Sequence, residues 1–366
     1  MTQLPHFSGS YRADDVRILL KRLPLQQFVS VEDKEVLIQS KQKHYSEMLS
    51  PESLPSARYL QIFEDACAAN LQQMARDCLL LAGLIAARRD GDITLVSLAR
   101  AGTPVGVILK RLLDQVFGRR VSHYSVSIIR DRGIDEAALR FILDSGHAPE
   151  SIVFVDGWTG KGVISRELTH WIGKYNAEHG VRIDPGLHVL ADLAGTAACA
   201  SSSADYLIPS SILNATVSGL ISRSILNDAI GAGDFHGCVY YEAFAPHDRS
   251  RQFADQVVQA ALAIGSDGMP PPVAQDAQAS ARVSRDCMAQ LLAAHGISDA
   301  NLVKPGIGEA TRVLLRRVAR LLILRDADAP DVRHLKLLAQ EKQVPVVIDP
   351  DLPYQAVSLI RSALDG

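Results

Sequence analysis

Two short segments hold the residues best placed to do chemistry, Arg100-Ala101-Gly102-Thr103 and Asp156-Gly157-Trp158-Thr159-Gly160-Lys161-Gly162. Each joins an apolar run to a helical pattern, in ITLVSLARAGTPVGVILKRLL at 93–113 and SIVFVDGWTGKGVISREL at 151–168. A strand that breaks through glycine into a helix leaves backbone N–H groups unpaired at the positive end of the helix dipole, which favours an anion. Two such junctions suggest one ligand with two phosphate groups. Asp156, ending its strand, offers a carboxylate to ribose hydroxyls or a metal-bound diphosphate, and Lys161 sets a cation beside the second loop. That loop is not a Walker A loop, because it lacks both the GxxxxGK spacing and a hydroxyl after the lysine.

Other candidates are weaker singly. The turn Arg130-Asp131-Arg132-Gly133 has two arginines able to neutralise a departing anion, or is simply a solvated charged turn. Cys238 lies two residues from His236, hence on the same face if the segment is extended, and a thiolate with a base is what a cysteine peptidase needs. The opposing reading is a small buried hydrophobe leading into VYY. The segment 208–224, with Ser210, Ser211, Asn214, Thr216, Ser218, Ser222 and Arg223, reads as an acceptor-binding wall or as a loop held by side-chain caps. Asp192 could meet an acceptor or cap a helix, and His44, Tyr45 and Tyr124 could bind or pack.

The elements that must position these residues follow an α/β rhythm. Residues 1–58 read as loops and short helices, and 59–89 as one or two helices. Strands are expected at 93–98, 123–129, 151–155 and 187–193, with a further candidate at 238–244. Helices fall between them: Val105, Ile108, Leu109, Leu112, Leu113 and Val116 share one helical face, and Ile164, Leu168, Trp171 and Ile172 another. This alternation predicts a mostly parallel sheet covered on both faces, with ligands beyond the carboxyl ends of its strands. The prolines in GSDGMPPPVAQDAQAS mark 265–280 as a linker between a domain at 1–264 and a small α/β domain at 281–366. In the second domain, helices are expected at 282–295, 307–319, 332–342 and 354–364, and strands at 320–324 and 344–348.

The chain of 366 residues, 47% of them hydrophobic, can bury a large core, and its net charge of -3 gives no global attraction to nucleic acid or anionic membrane. Only a local patch would bind RNA. Five widely spaced cysteines form neither a zinc pattern nor a disulfide framework and suit a reducing cytoplasm. No leader or membrane span is evident, so a soluble, cytoplasmic protein is expected.

VFVDGWTGKG and Arg100-Ala101-Gly102 resemble the two defining loops of the type I phosphoribosyltransferases. By that resemblance Arg100 and the backbone of Ala101, Gly102 and Thr103 would face the diphosphate of phosphoribosyl diphosphate. Asp156 would hold the ribose and Mg²⁺, Thr159 to Gly162 would carry the 5-phosphate, and Gly157 and Trp158 would belong to the same binding loop. Arg130 and Arg132 would belong to the mobile catalytic hood. One departure is plain: Gly157 stands where that family has a second acid, which weakens the expected grip on Mg²⁺-diphosphate. Across 7–260, the segments FSGSY, KHYSEMLSPE, LVSLARAGTPVG, DYLIPSSILNATVSGLISRS and DFHGC are similar to the StiP family of tellurium-resistance and stress gene clusters, which is labelled a cysteine protease. Under that label Cys238 and His236 are the candidate pair.

Residues 303–348 resemble the Pelota-type RNA-binding domain, whose Gly-x-Asn-Glu-x-x-Lys motif here reads Gly306-Ile307-Gly308-Glu309-Ala310-Thr311-Arg312. The resemblance implies RNA contacts at Lys304, Gly306, Glu309, Arg312 and Arg316, with Gly308 in place of the base-reading asparagine. A solvated helix face carrying Arg316, Arg317 and Arg320 is the alternative. The expectation is a phosphoribosyltransferase-like protein that uses phosphoribosyl diphosphate with Mg²⁺ and an unknown nucleobase-like acceptor. The other two readings are a cysteine protease and a non-catalytic nucleotide- and RNA-binding module. The expected partners are phosphoribosyl diphosphate or a nucleotide, RNA through 281–366, no membrane and, left open, a second copy in a homo-oligomer.

Overall fold

The polar N-terminal stretch, expected to be loops and short helices, supplies two three-residue strands, β1 (Arg17–Leu19) and β2 (Lys21–Leu23), before helix α1 (Val31–Gln39). Strands this short carry almost no periodicity; their partners define them. β1 adds to the edge of the main sheet, and β2 pairs with β9 (Gly237–Val239). The second pairing takes the 238–244 segment out of the main sheet. The computed structural model describes residues 7–25, 28–265, 268–269 and 276–362.

The Pro-free run after Ser56 forms one helix, α2 (Ala57–Ala87), started by the Ser56 hydroxyl, which accepts from the Tyr59 N–H at 3.2 Å. There follow β3 (Ile93–Ala99), α3 (Gly102–Gln115), β4 (Val121–Ile129), the short β5 (Gly133–Ile134) and α4 (Glu136–Asp144). The domain continues with β6 (Ile152–Thr159), α5 (Val163–His179), β7 (Leu187–Asp192), β8 (Cys199–Ser202) and, after β9, α6 (Ser250–Ile264).

The sheet order is β1-β4-β3-β6-β7-β8, and every one of these pairs is parallel. Alternate strand residues feed opposite faces, as the two-residue side-chain period requires. Leu95 and Val153 pack with α2, α3 and α6, while Val96 and Phe154 pack with α4 and α5. The expected parallel sheet with helices on both faces is therefore observed. Chain direction across the sheet reverses between β3 and β6, and in open α/β sheets such a switch point opens a crevice at the strands' carboxyl ends. Both glycine junctions lie there.

β6 runs further than its apolar part. Trp158 pairs with Ala191 and Thr159 with Asp192, so the loop shrinks to Gly160, Lys161 and Gly162.

The C-terminal domain holds α7 (Ala277–His295), β10 (Val303–Pro305), α8 (Ile307–Arg316), β11 (Ala319–Leu324), α9 (Arg333–Glu341), β12 (Val346–Ile348) and β13 (Ala356–Ile360). Its sheet order is β10-β13-β11-β12. β13 corrects the helix expected at 354–364, whose last residues lie outside those described. AVSLI is buried throughout and antiparallel to both β10 and β11. A short apolar run has no periodicity to separate strand from buried helix, and here sheet pairing decides. Much of the segment read as a linker also lies outside the described residues, and α7 begins within it at Ala277. Among the described residues no helix is long and apolar enough to cross a membrane.

Candidate functional site

The two junctions meet. A Cβ on Gly102 would stand 2.7 Å from the Val155 carbonyl oxygen and 3.2 Å from the Asp156 Cα, so glycine lets the start of α3 press directly on β6. Neither α3 nor α5 has a side-chain cap at its N-terminus. Gly162 precedes α5 at φ 70°, and a Cβ there would lie 2.5 Å from Thr196 Cγ2.

Two adjoining cavities open at these helix starts and share Asp156, Trp158, Ile164 and Arg312. The smaller, about 180 Å³, takes in Ala99, Arg100, Ala101, Ser210, Ser211, Arg223 and Arg316. The larger, about 460 Å³, is lined by Thr159 to Ser165, Tyr45, Arg130, Lys304 and Glu309. The expected diphosphate and 5-phosphate loops thus line neighbouring compartments. Gly102 and Thr103 line neither; the Thr103 hydroxyl is buried against Ser125 Oγ at 2.7 Å. The peptide between Ala99 and Arg100 is cis.

Four arginines border the smaller cavity. Arg100 pairs with Glu52 at 2.7 Å, donates to the Ile221 carbonyl at 2.7 Å and reaches Asn214 Oδ1 at 3.2 Å. Arg316 donates to the same Asn214 oxygen through Nε at 3.1 Å and Nη2 at 2.6 Å. Arg223 donates to the carbonyls of Tyr45, Met48 and Ser224. Arg223 and Arg316 are thus held by neutral oxygens, and burial lowers their pKa values to about 10 and about 9. The buried hydroxyls of Ser210 and Ser211 and the Trp158 Nε1 have no hydrogen-bond partner among the described residues. Part-buried cations on neutral acceptors, beside unpaired donors, describe a place for an anion.

Asp156 borders both cavities, and its Oδ1 accepts from the Gly157 N–H at 2.8 Å. Burial raises its pKa to about 6, against the pull of Arg312. Mg²⁺ takes one or two carboxylates together with substrate phosphate oxygens, so Asp156 beside an anion cavity fits that ion. A Cβ on Gly157 would meet nothing within 4 Å, so the missing second acid is not a steric requirement. Thr159 is committed elsewhere: its hydroxyl donates to Asp192 Oδ1 at 2.5 Å and accepts from the Ala194 N–H at 3.1 Å. Asp192 also accepts from the Thr196 and Ala197 N–H groups, which makes it a loop organiser. Lys161 donates to the carbonyls of Ala300 and Val303, and burial lowers its pKa to about 7.

The residues expected to touch RNA face the N-terminal domain in this arrangement. Arg312 lies 4.5 Å over the Trp158 ring and donates to Glu309 at 2.5 Å. Glu309 packs so close to Gly160 that a Cβ there would lie 2.8 Å from Glu309 Cγ. Lys304 stands 4.0 Å from Glu309. Gly306, at φ 89°, has its missing Cβ 2.6 Å from Leu193 Cδ1, and that of Gly308 would be 2.4 Å from Trp158 Cε2. Asp205 accepts from the Ile307 N–H at 3.0 Å and the Gln355 N–H at 2.8 Å, so the N-terminal domain caps α8.

Arg130 borders the larger cavity, and its side chain donates to Asn301 Oδ1 at 3.1 Å. Arg132 is turned to Glu47 and lines neither cavity. Cys238 is 0% exposed in the core, and burial pushes its thiol up to about 12. The His236 ring bonds Ser127 Oγ at 2.8 Å, its backbone N–H donates to Asp135, and no hydrogen bond joins it to Cys238. A protonated buried thiol without a base is not an activated nucleophile. All five cysteines are buried and free. Glu52, Asn214 and Asp205 matter here chiefly through partners far along the chain, which no local motif signals.

The family described as "Tellurite-like stress resistance cysteine protease StiP" matches residues 9–258, and the one described as "PELOTA RNA binding domain" matches 282–362. A relative named "Cysteine protease StiP", from Acinetobacter baylyi, is 42% identical over 98% of this chain and 96% of its own. Among solved structures, a hypoxanthine phosphoribosyltransferase of Trypanosoma cruzi is 14% identical with a TM-score of 0.26, covering 37% of this chain and 82% of its own. The same enzyme with its product IMP is 13% identical with a TM-score of 0.27, covering 48% and 90%. Likeness that low adds nothing to the strand order seen directly. The sequence match over nearly the whole length is of another kind, and by it the chain belongs to the StiP family, with a Pelota-type domain at its C-terminal side.

Proposed function

We propose that this protein binds phosphoribosyl diphosphate and transfers its ribosyl phosphate to a nucleobase-like acceptor. The supporting observation is the convergence of two helix starts without side-chain caps, Asp156 and four arginines on the crevice at the sheet's switch point. In that reading the bond from the anomeric carbon to the diphosphate oxygen breaks, and a bond to the acceptor's nucleophile forms. The diphosphate leaves into the arginine-lined cavity, which stabilises the charge it gains. The α5 N-terminus with Gly160 to Gly162 receives the 5-phosphate, and Asp156 the ribose hydroxyls. When bound, Mg²⁺ supplies charge neutralisation of the diphosphate, with Asp156 as its protein ligand.

Titration of the full chain with phosphoribosyl diphosphate and Mg²⁺ tests this. Saturable binding lost in Asp156→Ala is expected, and absence of binding at millimolar ligand overturns the reading.

The name of the Acinetobacter relative supports a second reading, peptide hydrolysis by cysteine. The burial of Cys238 and its raised thiol pKa weigh against it. Peptidase activity that disappears in a folded Cys238→Ala variant would favour it over transfer.

A further inference from the structure

We propose that Arg312 and Arg316, on α8 of the C-terminal domain, bind the ligand's diphosphate, so that the anion is gripped between the two domains. This rests on the reading of the crevice as a diphosphate site and adds who builds it. The small cavity has Ala99 to Ala101, Asp156, Ser210, Ser211 and Arg223 on one side and the two α8 arginines on the other. Arg316 and Arg100 share one neutral acceptor, and a bound anion would offset the repulsion between them. The hydroxyls of Ser210 and Ser211 and the Trp158 Nε1 supply further donors that have no partner among the described residues.

α8 is fastened in this position at several points. Asp205 caps its start, Gly308 rests on Trp158, and Arg317 just beyond its end makes two contacts of 2.5 Å with Glu35 of α1. Asn70 of α2 donates to Asp331 at 3.1 Å, holding the domain from another side. The Pelota-type motif face thereby serves as a wall of the small-molecule site. A large polyanion could reach that face only if the domain lifts off.

The test is calorimetric titration of inorganic diphosphate, and of phosphoribosyl diphosphate with Mg²⁺, into the full chain and into Arg312→Gln, Arg316→Gln and Lys336→Gln. Lys336 is a control on the exposed side of the domain, bonded to the Ala327 carbonyl. Affinity should fall about tenfold or more in each arginine variant and stay unchanged in the control. The melting temperature of unliganded Arg316→Gln should hold or rise, because a cation held only by a neutral oxygen is removed. Wild-type affinity in both arginine variants would overturn this inference while leaving the diphosphate reading standing. Failure of the wild-type protein to bind either ligand would overturn both. An Arg316→Gln variant that loses stability but keeps affinity would make Arg316 a structural residue and sink its assignment.

Discussion

Arg100 and Arg316, far apart in the chain, converge on a single neutral oxygen, Oδ1 of Asn214. An amide oxygen can accept from both guanidinium groups, yet it cancels neither charge. Glu52 forms an ion pair with Arg100 and acts on Arg316 without a direct contact. The arrangement costs the empty protein stability and favours any anion that enters, as expected where a site is built ahead of its ligand.

Acid should weaken the site through Asp156. Burial raises its pKa to about 6, with Arg312 pulling it down and Glu309 pushing it up from α8. A carboxyl raised in the folded protein contributes stability that is present below its unfolded pKa of about 4 and is lost as pH rises through about 6. Under the proposed role of Asp156, ligand binding would run the opposite way, because only an ionised carboxylate coordinates Mg²⁺. Mg²⁺-dependent diphosphate affinity should therefore drop up to about tenfold per pH unit below 6, and Asp156→Asn should flatten that dependence. A wild-type profile that stays level from pH 7 to 5 would remove Asp156 from the metal's coordination.

Restoring the second acid should strengthen the grip. Space around Gly157 is open, with nothing within 4 Å of a Cβ. Gly157→Asp should fold, shift the melting temperature little and raise Mg²⁺-dependent affinity about threefold or more, since Mg²⁺ accepts one or two carboxylates. Calorimetry at matched Mg²⁺ reads the change, and unaltered affinity in the folded variant would mean that this position does not look onto the metal.

Docking of the domains should depend on Gly308. A methyl there would sit 2.4 Å from Trp158 Cε2. Gly308→Ala should cost about 1–3 kcal/mol by overpacking, and much less in a Trp158→Leu background. Denaturant unfolding of the four proteins in that cycle checks it; additive costs would mean that the two residues do not touch in solution.

Much of the fold was legible because long elements repeat their signal. α2, the helical face of α3 and the strands expected at 93–98 and 151–155 carry patterns over enough residues to declare themselves, although β6 runs on to Thr159. β1, β2 and β13 were not, for opposite reasons: the first two are too short for a period, and the last is apolar on both faces, which erases it. In the site, Asp156 and the glycine loops were readable from local grammar, since a strand, a glycine and a helix start suffice. The partner of the Thr159 hydroxyl, Asp192, lies 33 residues further along the chain, and nothing near Thr159 announces it. The facing of Arg312 and Arg316 toward the crevice depends on domain docking, which no local spacing encodes.

The central place of β13 sets a schedule for synthesis. β10 and β11 are joined only through β13, so the small sheet cannot close until residues 356–360 have left the ribosome. The large domain can be complete well before then, with its crevice still missing the wall that carries Arg312 and Arg316. Chain order thus acts as a clock: whatever this crevice binds, the wall that carries Arg312 and Arg316 is assembled after the N-terminal part of its lining.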